Sequence, residues 1–214
     1  EVAAVGIANQ YFFLFNLIMT GVAGGCSIFI SQFWGQRDTE NIKKVMGIGI
    51  AGIFLLGAVF TLWALLGPES IARLFSKDTP VIALCCGYLK ITGLSYIATG
   101  ITLLFSTALR SVGNAKLPML ISALAILINV VLNYIFIFGH LGAPALGVNG
   151  AALATIIARF VEVTLILILG LKHGSPLRGR LKIYLSASRS FTQKVVAAMV
   201  PVVLNEGCWG AGMI

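Results

Sequence analysis

Long apolar runs separated by short connections rich in glycine, proline and charge set the pattern of this chain. Six runs are drawn: Gly6 to Phe33, Val45 to Leu66, Val81 to Leu109, Leu117 to Phe138, Val148 to Leu171, and Val195 to the chain end. Each matches the roughly 20 residues that an α-helix needs to cross the hydrocarbon of a bilayer. The run LPMLISALAILINVVLNYIFIFG, residues 117–139, is interrupted deep inside by Asn129 and Asn133. Four residues make about one helical turn, so the two amides share a face that Ala125, Ser122 and Pro118 extend. The opposite face is Leu, Ile and Val. Lipid cannot satisfy an amide, so the polar face is expected to turn toward other helices or a watered cavity.

Composition agrees with this pattern. Hydrophobic residues make up 58% and charged residues only 10%, against about a quarter charged in an ordinary soluble domain. The fold class is therefore all-α integral membrane, a polytopic helix bundle. The chain begins at Glu1 and stops inside an apolar run, so it reads as a piece of something longer. No cleavable signal peptide opens it. Four cysteines, Cys26, Cys85, Cys86 and Cys208, lie in or beside apolar runs with no metal-binding spacing, and they read as small buried hydrophobes.

The net charge of +8 would suit nucleic acid if it were clustered on one surface. It instead gathers mostly in the connections, where positive charge sets membrane orientation. The first, third and fifth connections hold Arg37, Lys43, Lys44, Arg110, Lys116, Lys172, Arg178, Arg180, Lys182, Arg189 and Lys194, eleven in all. The second holds Arg73 and Lys77, offset by Glu69 and Asp78, and the fourth holds only His140. The odd connections are thus expected in the cytoplasm, and no nucleic-acid partner is expected.

Two segments depart from the simple weave. The third is too long for one upright span and carries Lys90. Thr79 to Lys90 is read as an interfacial stretch, with Lys90 snorkelling to the outer headgroups, and Ile91 to Leu109 as the crossing. The fifth connection, Lys172 to Lys194, is long and basic. It reads as a linker lying on the cytoplasmic surface, amphipathic through Leu181, Ile183, Tyr184 and Leu185. Glycines inside the first two spans are read mainly as close-packing positions.

Ionisable groups inside spans cost about 2.5 to 3.5 kcal/mol on insertion scales at a helix centre, which makes them the first candidates for function. Arg159 and Glu162 are three apart on one face, where opposite charges neutralise each other. Helix rise from Val148 places them about 16 and 21 Å deep. Pairing is the favoured role, and a gate or substrate contact is the alternative. Glu206 has no basic residue near it in sequence; Lys194 is the nearest, and helix rise from Val195 puts Glu206 about 16 Å deep. A carboxylate there, beside Asn205 and after Pro201, calls for a proton, a cation or water. It is read as a proton or sodium site, with a hydrogen-bonded packing role as the alternative. Asn129 and Asn133 offer carbonyl oxygens to a cation, amides to a polar substrate, or glue between helices. Thr155, Gln10 and Asn16 are further polar candidates.

Enzyme signatures are missing: both histidines fall in connections, and no GxSxG, HExxH or phosphate-binding glycine loop occurs. An enzyme is not expected, nor is a metal or organic cofactor.

The stretches ISQFWGQRDTENIKK (30–44), ALRSVGNAKLPM (108–119), NVVLNYIFIFG (129–139), GVNGAALATIIAR (147–159) and PVVLNEGCWGAG (201–212) together resemble the multidrug and toxic compound extrusion (MATE) family of secondary transporters. Each is short, but their order and spacing span nearly the whole chain. The resemblance implies twelve helices in two lobes related by a pseudo-two-fold axis, with alternating access between them. Residues 1–171 would then be the amino-terminal lobe without its first helix, 172–194 the interlobe linker, and 195–214 the start of the second lobe. It also implies exchange of organic cations, drugs or metabolites for protons or sodium. Glu206 falls where many members place a glutamate tied to cation coupling. Asn129 and Asn133 fall where some have Asn and, a turn later, Asp; Asn at the second position removes a titratable group.

The expectation is a multi-pass protein of a bacterial-type cell membrane. It would be a monomer that exports small cationic or amphipathic compounds in exchange for a coupling cation, sodium or proton, with membrane lipid as its surroundings. A lipid-linked oligosaccharide flippase of related fold ranks second, because only Arg159 is available to line an anionic cavity. A membrane scaffold ranks behind, because it would need neither Glu206 nor the Asn pair.

Overall fold

The computed structural model describes residues 2–76, 78–140 and 144–212; Lys77, counted above in the second connection, lies outside them. The apolar runs all fold as α-helices, as backbone groups without water require. Strands are absent among the described residues. In chain order the helices are α1 (Val2–Gly35), α2 (Thr39–Leu66), α3 (Pro68–Phe75), α4 (Thr79–Gly93), α5 (Tyr96–Ser111), α6 (Lys116–Phe138), α7 (Val148–Gly170), α8 (Leu181–Tyr184) and α9 (Arg189–Ala211).

Their limits follow from local chemistry. The Asp38 carboxylate accepts from the Asn41 amide at 3.0 Å and starts α2, and the Ser188 hydroxyl does the same for α9 through Phe191, both satisfying first-turn N–H groups. Gly139 closes α6 at φ 73°, a left-handed cap that glycine takes without a Cβ penalty. Helices α1, α2, α6 and α7 are each long and apolar enough to cross a membrane, and α4 with α5 makes a fifth crossing bent by 50°. Helix α9, which carries Asn205 and Glu206, is not in that set.

The bend corrects the reading of the third segment. Helix α4 continues past Lys90 to Gly93, and it buries Cys85, Tyr88 and Leu89 against α1, α2 and α7. It belongs to the bundle rather than to an interfacial layer, although Lys90 itself is exposed. The break falls at Leu94–Ser95, where hydroxyls reinforce the carbonyls of Thr92 and Ser95, which already accept the Ser95 and Thr99 amides, and one from α2 reaches that of Gly93. Ser95 donates to the Thr92 carbonyl at 2.7 Å, Thr99 to that of Ser95 at 3.0 Å, and Thr61 of α2 to that of Gly93 at 3.2 Å. Hydroxyls of this kind let a broken helix persist inside a bundle.

Helix α1 is the spine. Near its start Phe15 stacks on Tyr96 of α5 at 4.8 Å and meets Phe60 of α2 edge-on at 5.5 Å, while the Tyr11 hydroxyl donates to the Phe60 carbonyl at 2.9 Å. Along its other side runs α9, antiparallel: Phe13 lies by Trp209, and Phe33 by Phe191. Between those ends, a Cβ on Gly21 would sit 2.6 Å from the Cα of Val203, and one on Gly25 2.8 Å from that of Met199. At these two positions glycine is required for the backbones to come so close.

Helix α9 begins at Arg189, six residues before Val195, so Arg189 and Lys194 lie in its first turns. The linker's one helical turn, α8, docks on α2. Gly47 accepts the Tyr184 backbone directly over its Cα, and the Tyr184 hydroxyl donates to the Leu177 carbonyl.

Candidate functional site

Helix α6 leans on α7, brought close where Gly150 receives the backbone of Phe136. Its outer face, including Leu120, Leu124, Leu127 and Val131, is exposed. Its inner face carries Pro118, Ile121 and Ala125, all buried, and the same face continues through Ser122, Asn129 and Asn133 as the spacing predicts. Between this face and α7 lies a cavity of about 260 Å³ lined by Ser122, Asn129, Thr155, Arg159 and Glu162 among others.

Glu162 organises the cavity wall. The residue is 3% exposed, and both carboxylate oxygens are engaged. The Ser122 hydroxyl donates to Oε1 at 2.8 Å across the helix pair, and Arg159 donates from Nη1 to Oε2 at 2.7 Å. A carboxylate removed from water requires such a pairing to persist. The ion pair is the one that the three-residue spacing predicts, and α7 starts at Val148 as expected. The Arg159 side chain is 38% exposed, so the carboxylate lies inside the wall and the guanidinium reaches its surface.

One turn further, the Asn133 side-chain N–H donates to Asn129 Oδ1 at 3.0 Å. The second oxygen of that amide pair, Asn133 Oδ1, is buried without a hydrogen-bond partner. The Thr155 hydroxyl is held by its own helix, donating to the Ala151 carbonyl at 2.9 Å.

The cavity thus gathers Asn129, Thr155, Arg159 and Glu162, with Asn133 beside it. It does not include Asn205 or Glu206. Asn205 is exposed and Glu206 half-buried on α9, which packs along α1. Counted from Arg189, Glu206 lies about 26 Å along its helix, farther from the basic end than a start at Val195 implied. Among the described residues it has no hydrogen bond or ion pair. Asn16 faces a separate hollow on α1 with Asn9 and Thr20. The Ser122–Glu162 bond is the link that sequence reasoning missed. Its signal was present, because Ser122 shares the amide face, but which neighbour that face would meet depends on the packing of α6 on α7.

The sequence model of the MatE family matches residues 1–135, more than half of the chain. The chain belongs to that family. It is 28% identical over 209 residues to a probable multidrug resistance protein, YoeA, of Bacillus subtilis, covering 95% of this chain and 45% of that one. Against a probable multidrug resistance protein NorM of Thermotoga maritima it is 27% identical, covering 74% of this chain and 34% of the relative. The chain therefore spans less than half the length of these relatives. Among solved structures, a multidrug resistance MATE family transporter in an inward-facing conformation superposes with a TM-score of 0.87 at 24% identity, over 99% of this chain and 47% of that one. A MATE protein in complex with MaD3S superposes at 0.84 and 25% identity, over 96% and 45%. The MatE fold and the apolar helices make this a multi-pass cell-membrane protein.

Proposed function

We propose that the protein containing this chain is a secondary antiporter that exports small amphipathic or cationic organic compounds while sodium or protons enter. The α6–α7 wall forms part of the substrate cavity, and Glu206 on α9 carries the coupling ion. The observation that carries this reading is the cluster of Asn129, Thr155, Arg159 and Glu162 around one cavity, at about the middle depth of a MatE-family bundle. Polar groups placed so deep in a membrane bundle mark a pathway for a polar solute. The names of the matched relatives, which include multidrug resistance proteins, support the choice of solute class. Neither a scaffold nor an anchor calls for such a cavity.

Glu206 suits the coupling role because it is the one charged residue between 195 and 211 and its carboxylate has no partner among the described residues, so a cation is free to take that place. The test is Glu206→Gln in the full-length protein. Ion-driven efflux from vesicles should fall at least ~10-fold while the amount of protein in the membrane is unchanged, the size of effect expected when a site loses about 1.4 kcal/mol. Efflux at the wild-type rate would end the coupling assignment.

A further inference from the structure

We infer that Arg159 binds a carboxylate or similar anionic group on the transported compound, so that among otherwise identical amphipathic compounds the α6–α7 wall favours those that carry a free acid. This rests on the transporter reading above and names the substrate chemistry of the same cavity. The charges at the wall are arranged unequally. Glu162 is 3% exposed and both its oxygens are occupied, one by Ser122 and one by Arg159. Each oxygen is tied to a neighbouring side chain, and the carboxylate is almost wholly removed from solvent. The guanidinium has five N–H donors, and among the described residues Glu162 is its one hydrogen-bonded partner. Its side chain is 38% exposed and lines the cavity, so it has donors left for a ligand.

Asn129, whose Oδ1 accepts from the Asn133 side-chain N–H, lines the same cavity. Arg159 is the charged donor that a solute at this wall meets, and an acceptor-bearing group is its complement. Arg–carboxylate contacts are charge-assisted and often bidentate, roughly twice as strong as neutral hydrogen bonds. The volume of about 260 Å³ falls below the roughly 300 to 1,000 Å³ of a pocket that encloses a drug-sized molecule. The wall holds an anionic head group while the rest of the compound lies elsewhere.

The experiment uses purified full-length protein in nanodiscs and two fluorescent probes, an amphipathic amine bearing a free carboxylate and its methyl ester. The wild type should bind the acid at least ~10-fold more tightly than the ester, about 1.4 kcal/mol for one charge-assisted contact. In the double variant Arg159→Gln/Glu162→Gln, which leaves no orphan charge, the ratio should fall to about one. If that variant does not fold, Arg159→Lys keeps the internal pair but loses the planar fork, and should lower the ratio several-fold. Equal binding of acid and ester by the wild type, or a ratio kept in the variants, overturns the assignment. Vesicle efflux of the same two probes separates the two readings. Absence of gradient-driven movement of either probe would overturn the transporter, while an acid preference in binding would still establish the site.

Discussion

Two helix pairs in this bundle are held together by opposite means. Along the α1–α9 seam the contacts are apolar and shape-determined, with Gly21 under Val203 and Gly25 under Met199 so closely that no Cβ fits. Along the α6–α7 wall the contacts are polar and directional, with Ser122, Glu162 and Arg159 bonded in series and Asn133 bonded to Asn129. The seam leaves no room; the wall encloses a cavity. Where solvation of a solute is needed, a pair of membrane helices must forgo some close packing and hold its polar groups by hydrogen bonds to one another. Where two elements only have to meet, small residues suffice.

The sharpest way to break the wall is Glu162→Ala. It leaves Arg159 in the bundle without its carboxylate, and breaking a buried pair by removing one partner costs about 3 to 5 kcal/mol. The low end applies, because the guanidinium reaches the cavity. Thermal unfolding of the full-length protein in detergent should drop by several degrees, and Arg159→Gln added to it should recover most of the loss. A single variant as stable as the wild type would mean that the pair is incidental to the wall.

The seam is tested by Gly25→Ala. A Cβ there would lie 2.5 Å from Met199 Cγ and 2.8 Å from its Cα, and since the second contact is backbone, side-chain rotation cannot relieve it. Overpacking of this kind costs about 1 to 3 kcal/mol. Helix α9 should be displaced from α1, which a cysteine pair at Phe33 and Phe191, whose rings are 6.0 Å apart, reports as slower disulfide trapping at the basic end. The α6–α7 cavity should be unaffected, since changes at separate, non-contacting sites add independently. Trapping at the wild-type rate would show that the seam does not depend on that glycine.

The two regions also differ in how far they are legible in the sequence. The wall announces itself, because Asn, Arg and Glu inside apolar runs are costly enough to be conspicuous, and the three-residue spacing of Arg159 and Glu162 fixes their pairing through helix geometry alone. The seam appears only as glycines whose partners lie about 180 residues away along the chain, a long-range contact that no local pattern encodes. The bend at Leu94–Ser95 was missed for a related reason. Lys90 suggested a boundary because charge is visible in sequence, while the actual break depends on Thr61 of a neighbouring helix reaching the Gly93 carbonyl. The six apolar runs were readable because hydrophobic length is local. That α9 lies along α1 was not, because it depends on contacts far apart in the chain.

The smallest expected effect on stability tells lining from glue. In Asn133→Leu, Asn129 Oδ1 loses its donor, which on its own costs about 1 to 3 kcal/mol for a buried acceptor. The same change removes Asn133 Oδ1, which is buried without a partner, and adds apolar surface to a helix already sheathed in Leu, Ile and Val. These terms oppose each other, so thermal unfolding should shift by less than the equivalent of about 1 kcal/mol. Transport should fall further than that, because Asn129, which lines the cavity beside Arg159, is no longer held by its neighbour. Measuring efflux per folded molecule together with the melting curve separates the outcomes. A large loss of stability with normal efflux per folded molecule would make the amide pair helix glue and leave the wall's selectivity to Arg159.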